Sequence, residues 1–357
     1  MPNKTLEKEL ERHFSCITSR LSTFCILVLG VMRQHTTNLS KLAADGPAGM
    51  KPESLYRRFQ HFFSRFAFPF DDLGKMALNK VPEPKEGWVL AMDRTNWKYG
   101  RAHINLLVVV LLINKVGVPV LWSALPAKTK RGNSNTKHRI SLMERVLKLV
   151  PATAIRALVM DREFSGERWL QWLDDQNVGY VLRIKKNTLI DGKKATSYVS
   201  KTTLKKRKKR SVWKRSLFFT GQAIQGKNTR DTHLFLVSNR FSGKTALQLY
   251  KSRWGIEQVF SHFKKRGFDL ETTHMSEGKK VEVLFAVLTV AFLFSYGWGC
   301  ELKSSTCLNA QQKRKSIFRL GADYLLRCLN REAQFAEHLD EWLEWLSGRK
   351  YQSIFVV

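Results

Sequence analysis

Two aspartates in this sequence follow short apolar runs and could bind a divalent metal ion. Asp93 comes directly after the run 89–92 (VLAM), and Asp161 comes directly after the run 157–160 (ALVM). Each run predicts a buried β-strand with the aspartate as its last residue, where a carboxylate is costly unless it is paired or bound to metal. Two acids at neighbouring strand ends would repel each other, and Mg²⁺ or Mn²⁺ would relieve that repulsion. The alternative is that each acid forms an ion pair with the arginine that follows it.

A second set of polar side chains shares one face of a predicted helix. The segment 250–265, YKSRWGIEQVFSHFKK, predicts one continuous helix that carries Tyr250, Arg253, Glu257 and Lys264. At about 100° per residue, all four side chains fall within an arc of about 60°. A tyrosine, a carboxylate and two cations on one stripe indicate either a surface ladder of ion pairs or a site for metal ions and phosphates. The two aspartates favour the second interpretation.

The elements around these residues predict a mixed α/β domain. Trp88–Met92, Ile104–Ile113 and Val118–Leu125 are β-branched and apolar, which indicates three strands. A helix over 140–149, a strand over 157–160, a helix over 168–176 and a strand over 180–184 follow. Such a sheet gathers ligands at its strand ends, where the two aspartates lie. The apolar stretch Leu284–Gly299 is shorter than a membrane span and predicts a core segment.

The charge of the chain predicts a polyanionic partner. There are 61 Lys and Arg against 30 Asp and Glu, for a net charge of +31. Nucleic acid is the expected partner, and an anionic membrane surface is the weaker alternative. The charge is concentrated over 185–215, where thirteen Lys and Arg accompany one acid. We interpret Asn187–Ser242 as a basic β-rich insertion whose run of cations contacts phosphates or forms a solvated hairpin tip. The run consists of Lys205, Lys206, Arg207, Lys208, Lys209 and Arg210.

The first 80 residues predict helices joined by a glycine turn. A short helix near Asn38–Ala44 is followed by the breakers DGPAG, and a second helix starts at Pro52. The second helix carries Arg57 and Arg58, so the pair is compatible with a helix-turn-helix that binds DNA. An ordinary helical pair with a charged outer face is the alternative.

The four-residue stripe carries a family resemblance. Its spacing, Tyr-x2-Arg-x3-Glu-x6-Lys, resembles the YREK signature of bacterial insertion-sequence DDE transposases of the cut-and-paste branch. The sequences MDRTNW at 92–97, DREFSG at 161–166 and FDLETTH at 268–274 also resemble the family's motifs. The resemblance implies an RNase H-like catalytic domain, a mixed sheet with flanking helices, interrupted by a β-rich insertion between helical N- and C-terminal regions.

The resemblance also implies roles for individual residues. Asp93, Asp161 and Glu257 would be the catalytic triad and would bind two Mg²⁺ ions, for which Mn²⁺ can substitute. Phosphates near the cleaved bond would be held by the remaining residues of the signature, and bases displaced in a DNA hairpin would stack on tryptophans. These DNA-binding candidates are Tyr250, Arg253, Lys264, Trp254 and Trp213. Glu163 would at most be an outer ligand.

The resulting prediction is an enzyme that cuts insertion-sequence ends and transfers them into target DNA. Its partners would be the terminal inverted repeats, the target duplex and a second copy of the chain, in the bacterial cytoplasm near the nucleoid. The expected regions are 1–80 for DNA binding, 85–186 and 243–300 for the catalytic core, 187–242 for the insertion and 301–357 for C-terminal helices. The alternatives are a DNA-binding repressor or relic that has lost catalysis, and a metal-dependent nuclease that cuts without integrating.

Overall fold

Four helices between residues 18 and 79 share an aromatic core in the N-terminal region. The computed structural model describes residues 6–8, 10–14, 18–81, 84–113, 116–126, 134–198, 209–223, 233–304 and 308–330. Helices α1 (Thr18–Gln34), α2 (Leu39–Ala44), α3 (Pro52–Arg65) and α4 (Phe70–Asn79) come first. Pro52 lies in the first turn of α3, and the Asn38 side chain caps α2, as the sequence predicts. Phe24, Phe62 and Phe68 bring α1, α3 and the following turn together.

An eight-stranded mixed sheet forms the centre of the molecule. Its strands are β1 (Trp88–Tyr99), β2 (Ala102–Ile113), β3 (Val116–Ala124), β4 (Ile155–Met160), β5 (Tyr180–Arg183), β8 (Lys209–Val212), β9 (Arg215–Ala223) and β10 (His233–Ser238). The order is β3-β2-β1-β4-β5-β10-β9-β8, while β6 (Leu189–Ile190) and β7 (Lys193–Lys194) form a separate pair. An antiparallel meander, β1 to β3, is followed by β4 and β5 parallel to β1. This is the RNase H-like fold that the resemblance implies.

The strands of the insertion extend the same sheet. Strand β10 pairs antiparallel with β5, and β9 and β8 continue outward from it. Helices α5 (Thr136–Leu149) and α6 (Glu167–Asp175) occur before the insertion, and α7 (Gly243–Ser252) and α8 (Trp254–Phe263) follow it. Residues 201–208, which include the basic residues 205–208, lie outside the described residues.

Two details of the predicted elements are wrong. Strand β1 does not end at Asp93, because β2 pairs with it from Leu90 through Tyr99. The apolar run ends at Met92, but alternate residues Thr95 and Trp97 stay buried, so the strand continues with one covered face.

The segment 250–265 is two helices rather than one. A tight turn at Arg253 separates α7 from α8, since the Ile256 N–H donates to the Arg253 carbonyl three residues back. Next to the turn, Gly255 lies against the backbone of Val116 and Gly117, where a side chain would collide. Lys264 follows the end of α8 in a non-helical conformation.

The C-terminal helices pack against the back of the core. Helix α9 (Gly278–Ser304) contains the predicted core segment Leu284–Gly299, and α10 (Ala310–Arg314) and α11 (Ile317–Asn330) follow. Helix α9 is long and apolar enough to cross a membrane by length and composition, but its most apolar window is wholly buried inside the protein. At its crossing with α11, Gly321 lies where a methyl group would overlap the Ser295 carbonyl. The part of the predicted C-terminal helical region over 331–357 lies outside the described residues.

Candidate active site

Strand pairing brings the two aspartates to the same level of the sheet. Strands β1 and β4 are parallel neighbours, and their last paired residues are Met92 and Met160. Asp93 and Asp161 are the next residues on their strands, so both carboxylates lie where the pairing ends. Asp161 then leads into a 3₁₀ turn, while β1 continues beyond Asp93 with β2 as its partner.

The signature residues bring a third carboxylate to this place. Arg253 Nη1 donates to Asp93 Oδ2 at 2.8 Å, and Arg253 Nη2 donates to Glu257 Oε1. Tyr250 OH lies 3.2 Å from Asp161 Oδ1. The turn at Arg253 between α7 and α8 therefore joins Asp93 from β1, Asp161 after β4 and Glu257 from α8 into one polar cluster.

Burial and charge shift the pKa values in this cluster. Burial raises the pKa of Asp93 to about 6, and the charges of Glu163 and Asp161 raise it as well. Arg253 and the Arg94 N–H oppose this shift by lowering the pKa. Burial raises the pKa of Tyr250 to about 12, so the phenol stays protonated at neutral pH. Burial opposes the charge of Arg253, but its acidic surroundings outweigh burial and its pKa stands above the ordinary value.

Lys264 connects the end of α8 to the strand that carries Asp93. Its Nζ donates to the Asn96 carbonyl at 2.8 Å and lies 3.1 Å from Glu271 Oε1. The ammonium group also lies 5.9 Å from the centre of the Trp97 ring. Asn96, which accepts from Lys264, is three residues along β1 from Asp93. Lys264 lies after the end of α8, although the sequence predicts a helix that includes it.

Three arginines near the acids are not predicted as functional residues from the sequence. Arg94 holds Glu163 through two hydrogen bonds, of 2.6 and 2.7 Å, instead of pairing with Asp93. Arg183 Nη1 lies 3.7 Å from Asp161, and Arg139 donates to the Glu163 carbonyl at 2.9 Å. The sequence does hint at the Arg94–Glu163 pair, because Arg94 directly follows Asp93 and Glu163 lies two residues after Asp161.

Comparison with known proteins assigns the family. The family described as the transposase DDE domain matches residues 84–294, which include all three acids and well over half of the chain. The chain belongs to the DDE transposase family. A solved structure titled piggyBac transposase synaptic complex with hairpin DNA matches with a TM-score of 0.46 and 11% identity, over 96% of this chain and 80% of that chain. No curated protein sequence matches.

This transposase is therefore an enzyme that cleaves and transfers nucleic-acid strands, and its family generally uses divalent metal ions. Among the described residues, no group of three or more Asp, Glu, His and Cys side chains is arranged to hold a metal ion as it stands. The guanidinium of Arg253 lies between Asp93 and Glu257 instead. The donor set nevertheless fits, because carboxylate oxygens are the ligands that hard divalent cations prefer.

The two candidate tryptophans of the transposase differ in exposure. Trp254, next to Arg253, is 60% exposed although it is a large aromatic side chain. Trp213 lies in the turn between β8 and β9 with a positive φ of 50° and packs partly against the core. In the same hairpin Lys209 is exposed, while Arg210 is held by Asp191 at 2.8 Å.

The two candidate arginines of α3 also have different surroundings. Arg57 is exposed and lines a groove of about 530 Å³ whose opposite wall, residues 273–280, contributes His274 and Lys280. Arg58 is half-buried and donates to the Thr23 hydroxyl at 2.8 Å, so it helps to hold α3 against α1. Of the pair, Arg57 is the side chain that faces solvent.

Proposed function

We propose that this transposase belongs to the YREK branch and moves its element by cut-and-paste transposition, cutting the element ends and joining them to target DNA. The observation that carries the proposal is the convergence of Asp93, Asp161 and Glu257, through Arg253 and Tyr250, at the end of the β1–β4 pairing. The sequence distance of 96 positions between the last two acids is spanned by strands that extend the sheet.

In this proposal, Asp93, Asp161 and Glu257 hold two divalent cations, Mg²⁺ with Mn²⁺ as a substitute. When bound, such a pair activates a water or a 3′-hydroxyl and stabilises the leaving oxygen. The carboxylates supply the negative charge that retains the cations, and Arg253 neutralises two of them in the DNA-free chain. Its planar fork also suits two oxygens of the phosphate beside the cleaved bond.

The DNA contacts are proposed from charge, from position beside the acids and, for Trp254, Arg57 and Lys209, from exposure. Arg253, Tyr250 and Lys264 would position the phosphates at the cleaved bond, and exposed Trp254 would stack on a displaced base, with Trp213 as a second stacking candidate. The insertion and α3 would hold the flanking duplex. The residues proposed for these flanking contacts are Lys205, Lys206, Arg207, Lys208, Lys209, Arg210, Arg57 and Arg58.

The region boundaries and the assembly belong to the same proposal. Residues 1–80 would bind DNA, 85–186 and 243–300 would form the catalytic core, 187–242 the insertion and 301–357 the C-terminal helices. Two copies of the chain would pair the two element ends in the bacterial cytoplasm, at the nucleoid, because both ends must be cut together.

A plasmid assay tests the proposal. The purified full chain is incubated with a plasmid that carries the gene's own flanking element ends, in Mg²⁺ or Mn²⁺, and the products are resolved on denaturing gels. We expect double-strand breaks confined to the element ends, with hairpins on the cut ends and none of either for Asp161→Ala. Binding without cleavage in both metals would contradict the proposal and favour a repressor. Cutting without joined products would favour a nuclease.

A further inference from the structure

A half-buried ion pair lies directly beside the two aspartates and takes no part in the triad. Arg94 follows Asp93 on β1, and Glu163 lies two residues after Asp161. The guanidinium donates twice, from Nε to Oε1 at 2.6 Å and from Nη2 to Oε2 at 2.7 Å. The two side chains are only 14% and 20% exposed. A fork of this kind fixes the distance and the plane of both partners more strictly than a single hydrogen bond does.

Both partners are themselves held by neighbours. Arg94 Nη1 donates to Asn105 Oδ1 on β2 at 3.2 Å. On the other side, buried Arg139 from α5 donates to the Glu163 carbonyl at 2.9 Å and lies over the Phe164 ring at 5.0 Å. The backbone carbonyl of Glu163 is therefore held by Arg139 of α5, while the Glu163 carboxylate is held by Arg94 of β1.

The position of the pair gives it a specific consequence. Backbone pairing between β1 and β4 ends at Met92 and Met160, so beyond that point the two strands have no ladder bonds to each other. Asp93 and Asp161 stand on the first residues past this end. The Arg94–Glu163 fork joins the same two segments, one residue after Asp93 and two residues after Asp161, where the ladder has stopped.

We propose that Arg94 and Glu163 are a positioning pair that sets the separation of Asp93 and Asp161 for their divalent cations. This inference rests on the proposed function. It also assigns Glu163 a role other than outer ligand, since both of its carboxylate oxygens accept from Arg94. Removing either partner leaves the other charge buried and frees the turn after β4 to move relative to β1.

The test measures metal affinity separately from catalysis. Mn²⁺ binding to the full chain is followed by electron paramagnetic resonance, and single-turnover cleavage of an element end is followed across a Mg²⁺ series. The variants are Arg94→Lys, which keeps the charge but loses the fork, Glu163→Gln and the double variant. Arg145→Lys is the control, because Arg145 of α5 donates to Asp71 of α4 at 2.9 Å in a single, more exposed ion pair.

We expect each single variant to bind Mn²⁺ about 10-fold more weakly, with cleavage partly restored at high Mg²⁺. Affinity for DNA should stay near that of Arg145→Lys, while the melting temperature should fall below it because each single variant weakens a half-buried ion pair. The double variant should be no worse than the single ones, because the two side chains act as one unit.

Other outcomes overturn the assignment in distinguishable ways. Unchanged Mn²⁺ affinity in both single variants would exclude a positioning role. Loss of Mn²⁺ binding in Glu163→Gln alone, with Arg94→Lys unaffected, would make Glu163 a ligand. A wild-type chain that neither binds Mn²⁺ nor cleaves would overturn the proposed function and this pair with it, whereas a wild type that does both isolates the failure to the pair.

Discussion

The two halves of the central sheet treat charge in opposite ways. Around β1 and β4, each acid of the proposed triad lies against a cation or a phenol of the same chain, as with Arg253 between Asp93 and Glu257. In the half that the proposed insertion adds, Arg210 and Arg215 also pair with acids, but the described lysines are exposed. They are Lys209 and Lys214 at β8 and the turn after it, with Lys193 and Lys194 on the separate β6–β7 pair.

The difference separates geometry from affinity. Charges that are matched within the fold are held at fixed distances, which a reaction centre needs. Exposed cations on a flexible stem are only weakly fixed, and they attract a polyanion of any sequence through released counterions. The catalytic half should therefore control the rate and the insertion half should control the binding.

The severest test of this division replaces acids of the proposed triad. Asp93→Asn and Glu257→Gln keep the shape of the side chain and remove its charge, so cleavage should fall by at least about 1,000-fold while the Kd for DNA changes little. Rates come from single-turnover assays and Kd values from anisotropy. Asp191→Asn, an acid of the insertion half, is the control and should cleave normally. Cleavage that survives in both triad variants would remove the distinction.

The buried contact between α8 and α11 gives the next largest effect. His262 of α8 stacks on Phe318 at 4.2 Å, and burial lowers its pKa to about 4. The neutral ring is therefore favoured in the fold, so this contribution to stability is complete above about pH 6.5. It is lost as the pH falls towards 4, by up to about 3 kcal/mol.

Denaturant titrations at several pH values measure this contribution. His262→Phe should flatten that part of the acid-induced decrease in the free energy of unfolding, whereas the exposed His61→Gln on α3 should leave it unchanged. An identical decline in wild type and His262→Phe would show that the acid sensitivity arises elsewhere.

Trp254 sharpens the comparison, because it is an exposed aromatic beside a closely packed site. Loss of a stacked base costs about 1–3 kcal/mol, so Trp254→Ala should slow hairpin formation by about 10-fold or more without lowering the melting temperature. Trp254→Phe should restore part of the rate. Equal rates for all three proteins, measured by quench-flow on an element-end duplex, would leave Trp254 without a role in catalysis.

The smallest effects are expected in the insertion. Lys209→Glu and Lys214→Glu should each reduce the slope of log K against log salt by about 1 and leave cleavage at saturating DNA unchanged. Lys75→Glu on α4, a helix that packs on β3 at the opposite edge of the sheet from β8, provides the control charge reversal. A lower cleavage rate at saturation would contradict the separation of rate from affinity.

The sequence predicts the elements of this fold better than it predicts their ends. Apolar runs indicate the strands β2 to β5. The spacing of the signature indicates Tyr250, Arg253 and Glu257, which meet at the site, and Lys264, which lies against Asn96 instead. The continuation of β1 beyond Asp93 depends on pairing with β2, which a single strand's composition does not reveal. The turn at Arg253 depends on contact between Gly255 and the β2–β3 hairpin, which only the folded chain contains.

The candidate site shows the same limit. The sequence indicates Asp93 and Asp161 because a carboxylate directly after an apolar run is costly unless it is paired or bound to metal. It indicates Glu257 because this carboxylate shares a helix face with two cations. Arg94 and Glu163 are separated by 69 positions, and they meet only because β4 lies beside β1 in parallel register. A prediction of that pair requires the strand order first.

The crossing at Gly321 has a consequence for heritable variation. Because α9 and α11 touch backbone to backbone there, even alanine must push the Ser295 carbonyl aside, on elements that carry none of the three acids. Such a replacement loosens the packing and leaves the chemistry untouched, so its cost grows with heat. Gly321→Ala is thus a route to a temperature-sensitive allele. A host with this allele would carry an inactive element at high temperature and a transposing element at low temperature.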